Sequence, residues 1–184
     1  HTHTYAEYVA LEHDSSTKHE FFDGEIYAMA GGSELHSALT INLTTALALA
    51  AKGSGCRVHS SDLRIYVEKI GLATFPDASV ICGPLAQHEP SPRSTATNPT
   101  ILIEVTSPSS ESYDTGFKLQ VYQTIPSLRE VILVSHRERC ITVHRRDPAG
   151  EWTRHVAMAG ERASIESLHA ELSVNEIYDG LTIS

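Results

Sequence analysis

Long apolar runs, clustered cysteines and an excess of basic charge are all missing from this sequence, and each gap removes a class of protein. No apolar stretch reaches the ~18 residues that a membrane-crossing helix needs. The longest candidate, Ala38 to Ala51, is interrupted by threonines and an asparagine. The three cysteines (Cys56, Cys82 and Cys140) are odd in number, widely separated and form no CxxC pair. That pattern speaks against a disulfide scaffold and against a zinc ribbon, and a reducing cytoplasm is the simplest setting. No secretory leader is visible at the opening HTHT. A GxSxG elbow and a Gly-rich phosphate loop are both lacking, which removes the familiar serine-hydrolase and nucleotide-loop readings. Eleven histidines form no HxH or HxxxH pair in the body of the chain, and His1 and His3 at the extreme terminus are set aside.

Acidic residues outnumber basic ones 23 to 14, a formal net charge of -9. Proteins that hold nucleic acid through phosphate contacts alone usually show a basic face. The one basic ribbon here, SHRERCITVHRRD, carries Arg137, Arg139, Arg145 and Arg146 with His136 and His144. It reads first as the solvated face of a hairpin and second as a phosphate contact. With 184 residues, 41% hydrophobic and 20% charged, the chain has the composition of a globular protein. A single domain over 1–184 is the expectation.

Periodicity gives an orderly alternation. TYAEYVALEH has apolar residues at helical spacing. HEFFDGEIYAMAGG reads as a hairpin turning at Asp23-Gly24, its second strand ended by Gly31-Gly32. Ser33 suits the N-cap of a long helix whose stripe is Leu35, Leu39, Leu43, Leu47 and Ala50, ending near Gly53-Ser54-Gly55. CRVHSSDLRIYVE is β-rich with a bend at Ser60-Ser61. Two apolar strands follow, joined by a Pro/Ser/Thr-rich loop from Glu89 to Pro99. SPSSESYDTGFKLQVYQTI returns to a helix, with Tyr113, Phe117 and Val121 on its stripe, Tyr122 a step off it, Gly116 as a weak point and Pro126 as its stop. EVILVSH reads as a strand buried on both faces. CITVHRRDPAGEWTRHVAM is a hairpin around residues 147–150, and SIESLHAELSVNEIYDGL a short strand with a terminal helical turn. The order predicts an α/β domain, bordering on α+β, around one mixed sheet.

Two carboxylates are out of place in this pattern. Asp77 stands just before the apolar run Ala-Ser-Val-Ile-Cys, and Glu104 stands inside Ile-Leu-Ile-Glu-Val. A carboxylate removed from water costs several kcal/mol unless it is paired, hydrogen-bonded or metal-bound. Asp77 could cap a turn after Pro76, and Glu104 could pair with Lys118 in a structural ion pair. Together at adjacent strand ends, however, the two acids could share a divalent ion, which prefers oxygen ligands. A lysine on the next helix could then position water or hold a phosphate oxygen. Those parts suit metal-assisted phosphodiester hydrolysis.

The order and flanking text of HEFFDGEI, GGSELHSAL, FPDASVI, ILIEVTSPSS and YDTGFKLQVYQTIPSLREVILV resemble the PD-(D/E)XK nuclease superfamily, and within it the Uma-two family. The resemblance spans nearly the whole chain. It implies a restriction-endonuclease-like fold, a mixed central sheet flanked by helices with added hairpins. It also implies a Mg²⁺- or Mn²⁺-dependent endonuclease, with DNA ahead of RNA as substrate. Carried over by position, Asp77 is the first metal ligand, Glu104 the second and the main-chain carbonyl of Val105 the third. The motif's usual lysine would fall at Thr106, and Lys118 on the following helix is its substitute. Glu20 and His36 are candidates to complete the pocket, and Asp62 is a further polar candidate. A homodimer follows by analogy, since cutting two strands calls for two sites, with the hairpin after Cys140, Trp152 included, as a contact surface. The competing expectation is a nuclease fold retained without catalysis as a binding or assembly module, which the acidic charge and the absent adjacent lysine favour.

Overall fold

The computed structural model describes residues 2–88 and 95–183. Helix α1 (Tyr5–Asp14) opens on a capping box made by Thr4 and Glu7. Strands β1 (His19–Phe22) and β2 (Glu25–Ala28) follow as the expected hairpin. Its turn places both Asp23 (φ 49°) and Gly24 (φ 80°) in the left-handed region, as a two-residue hairpin turn of this hand requires. Helix α2 (Glu34–Ala50) is capped by Ser33, whose side chain accepts the His36 amide. Leu39, Leu43 and Leu47 recur every four residues along it and are wholly buried, contributing about 2 kcal/mol each.

Strands β3 (Cys56–Ser60), β4 (Arg64–Val67), β5 (Leu72–Thr74), β6 (Ala78–Cys82), β7 (Thr95–Ala96) and β8 (Ile101–Val105) come next. A helical segment then runs in three pieces: α3 (Glu111–Tyr113), a π turn over Asp114–Lys118, and α4 (Leu119–Tyr122). Strands β9 (Glu130–Val134), β10 (Cys140–Arg146), β11 (Trp152–Met158), β12 (Arg162–Ile165) and β13 (Ala170–Ser173) lead to α5 (Val174–Ile177).

The strands form a six-stranded sheet ordered β11-β10-β9-β8-β6-β3, a five-stranded sheet ordered β2-β1-β5-β4-β7, and the small β12–β13 pair. In the larger sheet β8 and β9 run parallel and every other pair antiparallel. Its central strands are apolar on both faces, and alternate side chains go to different cores. Val80, Ile101, Ile103 and Ile132 pack with the α2 leucines and α5, whereas Ile81, Leu102, Val131 and Leu133 pack with Leu119, Val121 and Tyr122 of α4. The larger sheet is the mixed, helix-flanked sheet that the sequence leads one to expect, whereas the five-stranded sheet corrects the expectation of a single sheet. No helix among the described residues is long and apolar enough to cross a membrane.

Several expectations need correcting. The bend at Ser60-Ser61 does more than kink a strand, since it carries the chain from the larger sheet at β3 to the smaller at β4. Cys56 and Cys82, 26 residues apart, face each other across β3 and β6 and are joined by a disulfide, while Cys140 is free and buried. Strand pairing brings together cysteines whose separation in the chain gives no hint of it. Of the loop expected over Glu89–Pro99, residues 89–94 lie outside the described residues, as does His1, and the remainder contains β7. The tail forms two strands with a 3₁₀ turn between them, rather than one.

The helix after β8 is rotated relative to its apolar pattern. Asp114, Lys118 and Tyr122 are buried, and Tyr113 and Phe117 are on the outside. The π turn spans Gly116, the residue that interrupts helix propensity there. The basic ribbon is a solvated face only in part: Arg137 and Arg139 are exposed, whereas Arg145 and Arg146 are engaged. Arg145 bonds Glu130 and Glu166, and Arg146 donates to the carbonyls of Gln123, Ile125 and Pro126 while lying 4.8 Å from the centre of the Trp152 ring. Both arginines bind neighbouring elements together.

Candidate active site

The link Phe75-Pro76-Asp77 is the direct passage from β5 in one sheet to β6 in the other. Phe75 is buried and anchors it. Because β6 runs antiparallel to β8, with Ala78 opposite Ile103, the start of β6 lies beside the end of β8. Asp77 is thereby brought to Glu104 and Val105. The Val105 amide donates to Asp77 Oδ2 at 2.7 Å, and the His36 ring meets the same oxygen through Nε2 at 3.1 Å. This bond to Asp77 raises the basicity of the imidazole, against the opposing effect of partial burial.

His36 reaches Asp77 from the first turn of α2. A methyl group at Gly32 would stand 2.7 Å from its Nδ1, so glycine at that position leaves room for the ring.

On the other side of Glu104 stands Lys118. Its ammonium lies 3.0 Å from Glu104 Oε1, 3.1 Å from Glu20 Oε1 and 3.7 Å from Asp114 Oδ1, all four side chains being nearly inaccessible. Glu20 arrives from β1 of the smaller sheet, where Thr74 and the Tyr113 hydroxyl, 3.1 Å from Oε2, donate to it. The Tyr122 hydroxyl donates to Glu104 Oε1 at 2.6 Å. Burial pushes the Glu104 carboxyl up to about 8; Asp77 and Asp114 add to the rise, and Lys118 opposes it. Desolvation alone would lower the Lys118 ammonium, but Glu104, Tyr122, Glu20 and Asp114 outweigh it and hold it well above the ordinary lysine range.

Tyr122 and Thr74 apart, these groups line one cavity of about 450 Å³, bounded by the loop before α2, by the segment after β8 and by Lys118. Six of the expected residues meet there: Glu20, His36, Asp77, Glu104, Val105 and Lys118. Asp62 does not. Its side chain is 84% exposed and pairs with Lys18 at 2.8 Å. Thr106, at the position of the motif's usual lysine, is buried, with its Oγ1 3.3 Å from the Val134 carbonyl and 2.9 Å from His136 Nδ1. Sequence reasoning gave no role to Asp114 or Tyr122. Their spacing of four residues on either side of Lys118 was the available signal, since it puts all three on one helix face.

The donor set suits a hard divalent ion. Both hydrogen bonds to Asp77 fall on Oδ2, and both polar contacts of Glu104 fall on Oε1, so among the described residues Asp77 Oδ1 and Glu104 Oε2 have no protein partner. Three carboxylates (Glu20, Glu104 and Asp114) surround one lysine, and the upward push on Glu104, due first to burial, is increased by the negative charge of Asp77 and Asp114. Among the described residues no three His, Cys, Asp or Glu side chains converge as a metal cage. Two carboxylates and the Val105 carbonyl make no such demand.

Comparison with known proteins agrees with this architecture. The crystal structure of "a putative nuclease belonging to DUF820" from Anabaena variabilis superposes with a TM-score of 0.71, covering 89% of this chain and 91% of that one at 19% identity. The fold is therefore restriction-endonuclease-like. Two uncharacterised Synechocystis proteins are related in sequence. The protein slr1290 is 35% identical over 95% of this chain and 90% of its own length, and sll1609 is 33% identical over 89% and 91%. The Uma2 family, described as "Putative restriction endonuclease", matches residues 5–182, and the chain belongs to that family.

Proposed function

We propose that this protein is a divalent-metal-dependent endonuclease that hydrolyses phosphodiester bonds, DNA in preference to RNA, with the whole chain acting as one domain. The observation that carries the reading is the pair of unpartnered oxygens, Asp77 Oδ1 and Glu104 Oε2, beside a buried ammonium. Asp77, Glu104 and the Val105 carbonyl would hold Mg²⁺ or Mn²⁺. When bound, such an ion polarises the phosphorus centre and stabilises charge on the attacking and leaving oxygens. Lys118 stays charged, so it is not a base. Its ammonium orients water and neutralises charge gathering on the phosphate oxygens. Glu20, Asp114 and Tyr122 fix Lys118 and Glu104, and His36 fixes Asp77 through Oδ2. Cutting both strands of a duplex would call for a homodimer.

Cleavage of supercoiled plasmid, single-stranded DNA and RNA, in Mg²⁺ or Mn²⁺ and in EDTA, tests the reading. Asp77→Asn and Glu104→Gln preserve side-chain shape and run alongside, with urea melts to verify folding. Metal-dependent cutting by the parent, lost in both variants, is the expected result. Absence of both cutting and Mn²⁺ binding by the parent would instead indicate a nuclease fold that serves only as a binding module.

A further inference from the structure

Next to the acidic cavity lies an apolar hollow of about 480 Å³, walled by Phe22, Tyr27, Tyr113 and Phe117, with Glu20 and Tyr113 shared between the two. The chain has one tryptophan, seven tyrosines and four phenylalanines, so four rings at one place are a concentration. Tyr113 and Phe117 stack with centroids 5.7 Å apart and planes 18° from parallel, and Phe22 meets Phe117 edge-on at 5.0 Å. Apolar rings of this size normally go into a core. Here Tyr27 is 53% exposed and Tyr113 and Phe117 are 37% exposed each. The inward turn of Asp114, Lys118 and Tyr122 is what puts Tyr113 and Phe117 outside, while Tyr27 faces out from β2. Tyr113 also ties the wall to the acidic cluster. Its hydroxyl donates to Glu20, and the Lys118 ammonium lies 5.6 Å from its ring centre.

We propose that this wall is a stacking subsite for an unpaired nucleobase adjoining the phosphate at Asp77 and Glu104, so that single-stranded or locally unpaired nucleic acid is the preferred substrate. This rests on the nuclease reading above. In a duplex the faces of each base are covered by its neighbours, and only edges are open in the grooves. An exposed ring wall therefore meets a base only where the base has left the stack.

Charge points the same way. The protein is net acidic, at -9, and Arg137, Arg145, Arg146 and Lys118 are engaged with its own carboxylates or carbonyls. Phosphate neutralisation is thus a weak source of affinity, whereas base stacking is indifferent to net charge.

The test uses the full chain with a 12-nucleotide single-stranded DNA bearing a central 2-aminopurine, the matching duplex, and the same strands for cleavage in Mn²⁺. The single strand is expected to bind about tenfold tighter than the duplex, with quenched 2-aminopurine fluorescence. Phe117→Leu and Tyr27→Leu, which keep apolar bulk but remove the ring face, should each weaken single-strand binding about tenfold and spare duplex binding. Phe117→Trp should restore it. Urea melts confirm that each variant is folded. If the leucine variants match the parent, or if duplex is preferred, the subsite is overturned, and the nuclease reading stands when the parent cuts in Mn²⁺. If the parent neither binds nor cuts any strand, the nuclease reading fails, and the subsite with it.

Discussion

Replacing Lys118 with methionine keeps the length of the side chain and removes its charge from among three carboxylates. The ammonium lies 3.0 Å from Glu104, 3.1 Å from Glu20 and 3.7 Å from Asp114, with every partner buried. Removing one member of a buried ion cluster typically costs about 3–5 kcal/mol, because the remaining charges are left in a low-dielectric site. For a chain of 184 residues that is a fall in melting temperature of about 10 °C. The loss should depend on pH. Burial already holds the Glu104 carboxyl up, to about 8, even with the lysine pulling it down. A carboxyl raised on folding contributes stability that is complete below its unfolded value and is lost as pH rises through its folded one. Without Lys118 the folded value rises further, so the loss of stability with rising pH, which levels off in the parent as Glu104 ionises near pH 8, continues above that pH in the variant. Urea denaturation of parent and Lys118→Met at pH 7 and pH 9 therefore should show a gap of several kcal/mol at both, wider at pH 9 by up to about 1.4 kcal/mol. A gap equal at both pH values, or below about 1 kcal/mol at pH 9, would refute the account, because it would mean that the lysine does not neutralise buried carboxylates.

Tyr122→Phe removes the 2.6 Å hydrogen bond to Glu104 and should cost about 2 kcal/mol. It should also lift the Glu104 carboxyl above about 8, because that bond favours its ionised form. Mn²⁺ binding followed by calorimetry from pH 6 to 9 should then have its midpoint at higher pH than in the parent, and an unmoved midpoint would separate Glu104 from the metal site. Gly32→Ala places a methyl 2.7 Å from His36 Nδ1 and should swing the ring off Asp77. The imidazole would then titrate at lower pH, readable from its ring-proton NMR shift, and the share of stability lost as the parent's raised His36 deprotonates would disappear. The paired substitution Cys56→Ser and Cys82→Ser opens a crosslink spanning 26 residues and should lower stability by about 3 kcal/mol. Reductant should reproduce that loss in the parent and do nothing further to the variant.

Local chemistry made much of the fold legible. A two-residue Asp-Gly turn needs residues that tolerate positive φ, so the first hairpin is visible in the text of the chain. Ser33 and the four-residue leucine spacing announce α2, and the unbroken apolar run of β9 announces a strand covered on both faces. Asp77 and Glu104 stand out because carboxylates are rare beside such runs. The errors arise where partners distant in sequence decide the outcome. The stripe Tyr113–Phe117–Val121 has the right period and partly the wrong face, because three buried carboxylates draw Lys118 inward and bring Tyr122 with it. Arg145 and Arg146 look solvated until β9 and the residues after α4 supply their acceptors.

Element type, strand order along the chain, and the two acids were thus written in the sequence, since each depends on neighbours within a few residues. The meeting of the acids was not, because it depends on β6 lying antiparallel to β8 and on two sheets joined through Phe75 to Asp77. Nor was the disulfide, which depends on the register of β3 against β6. A carboxylate's position is local, whereas its ionisation and its partners belong to whatever the fold packs around it. Tertiary structure alone therefore decided that Lys118 is buried among Glu20, Glu104 and Asp114, and that the rings of Tyr113 and Phe117 remain outside.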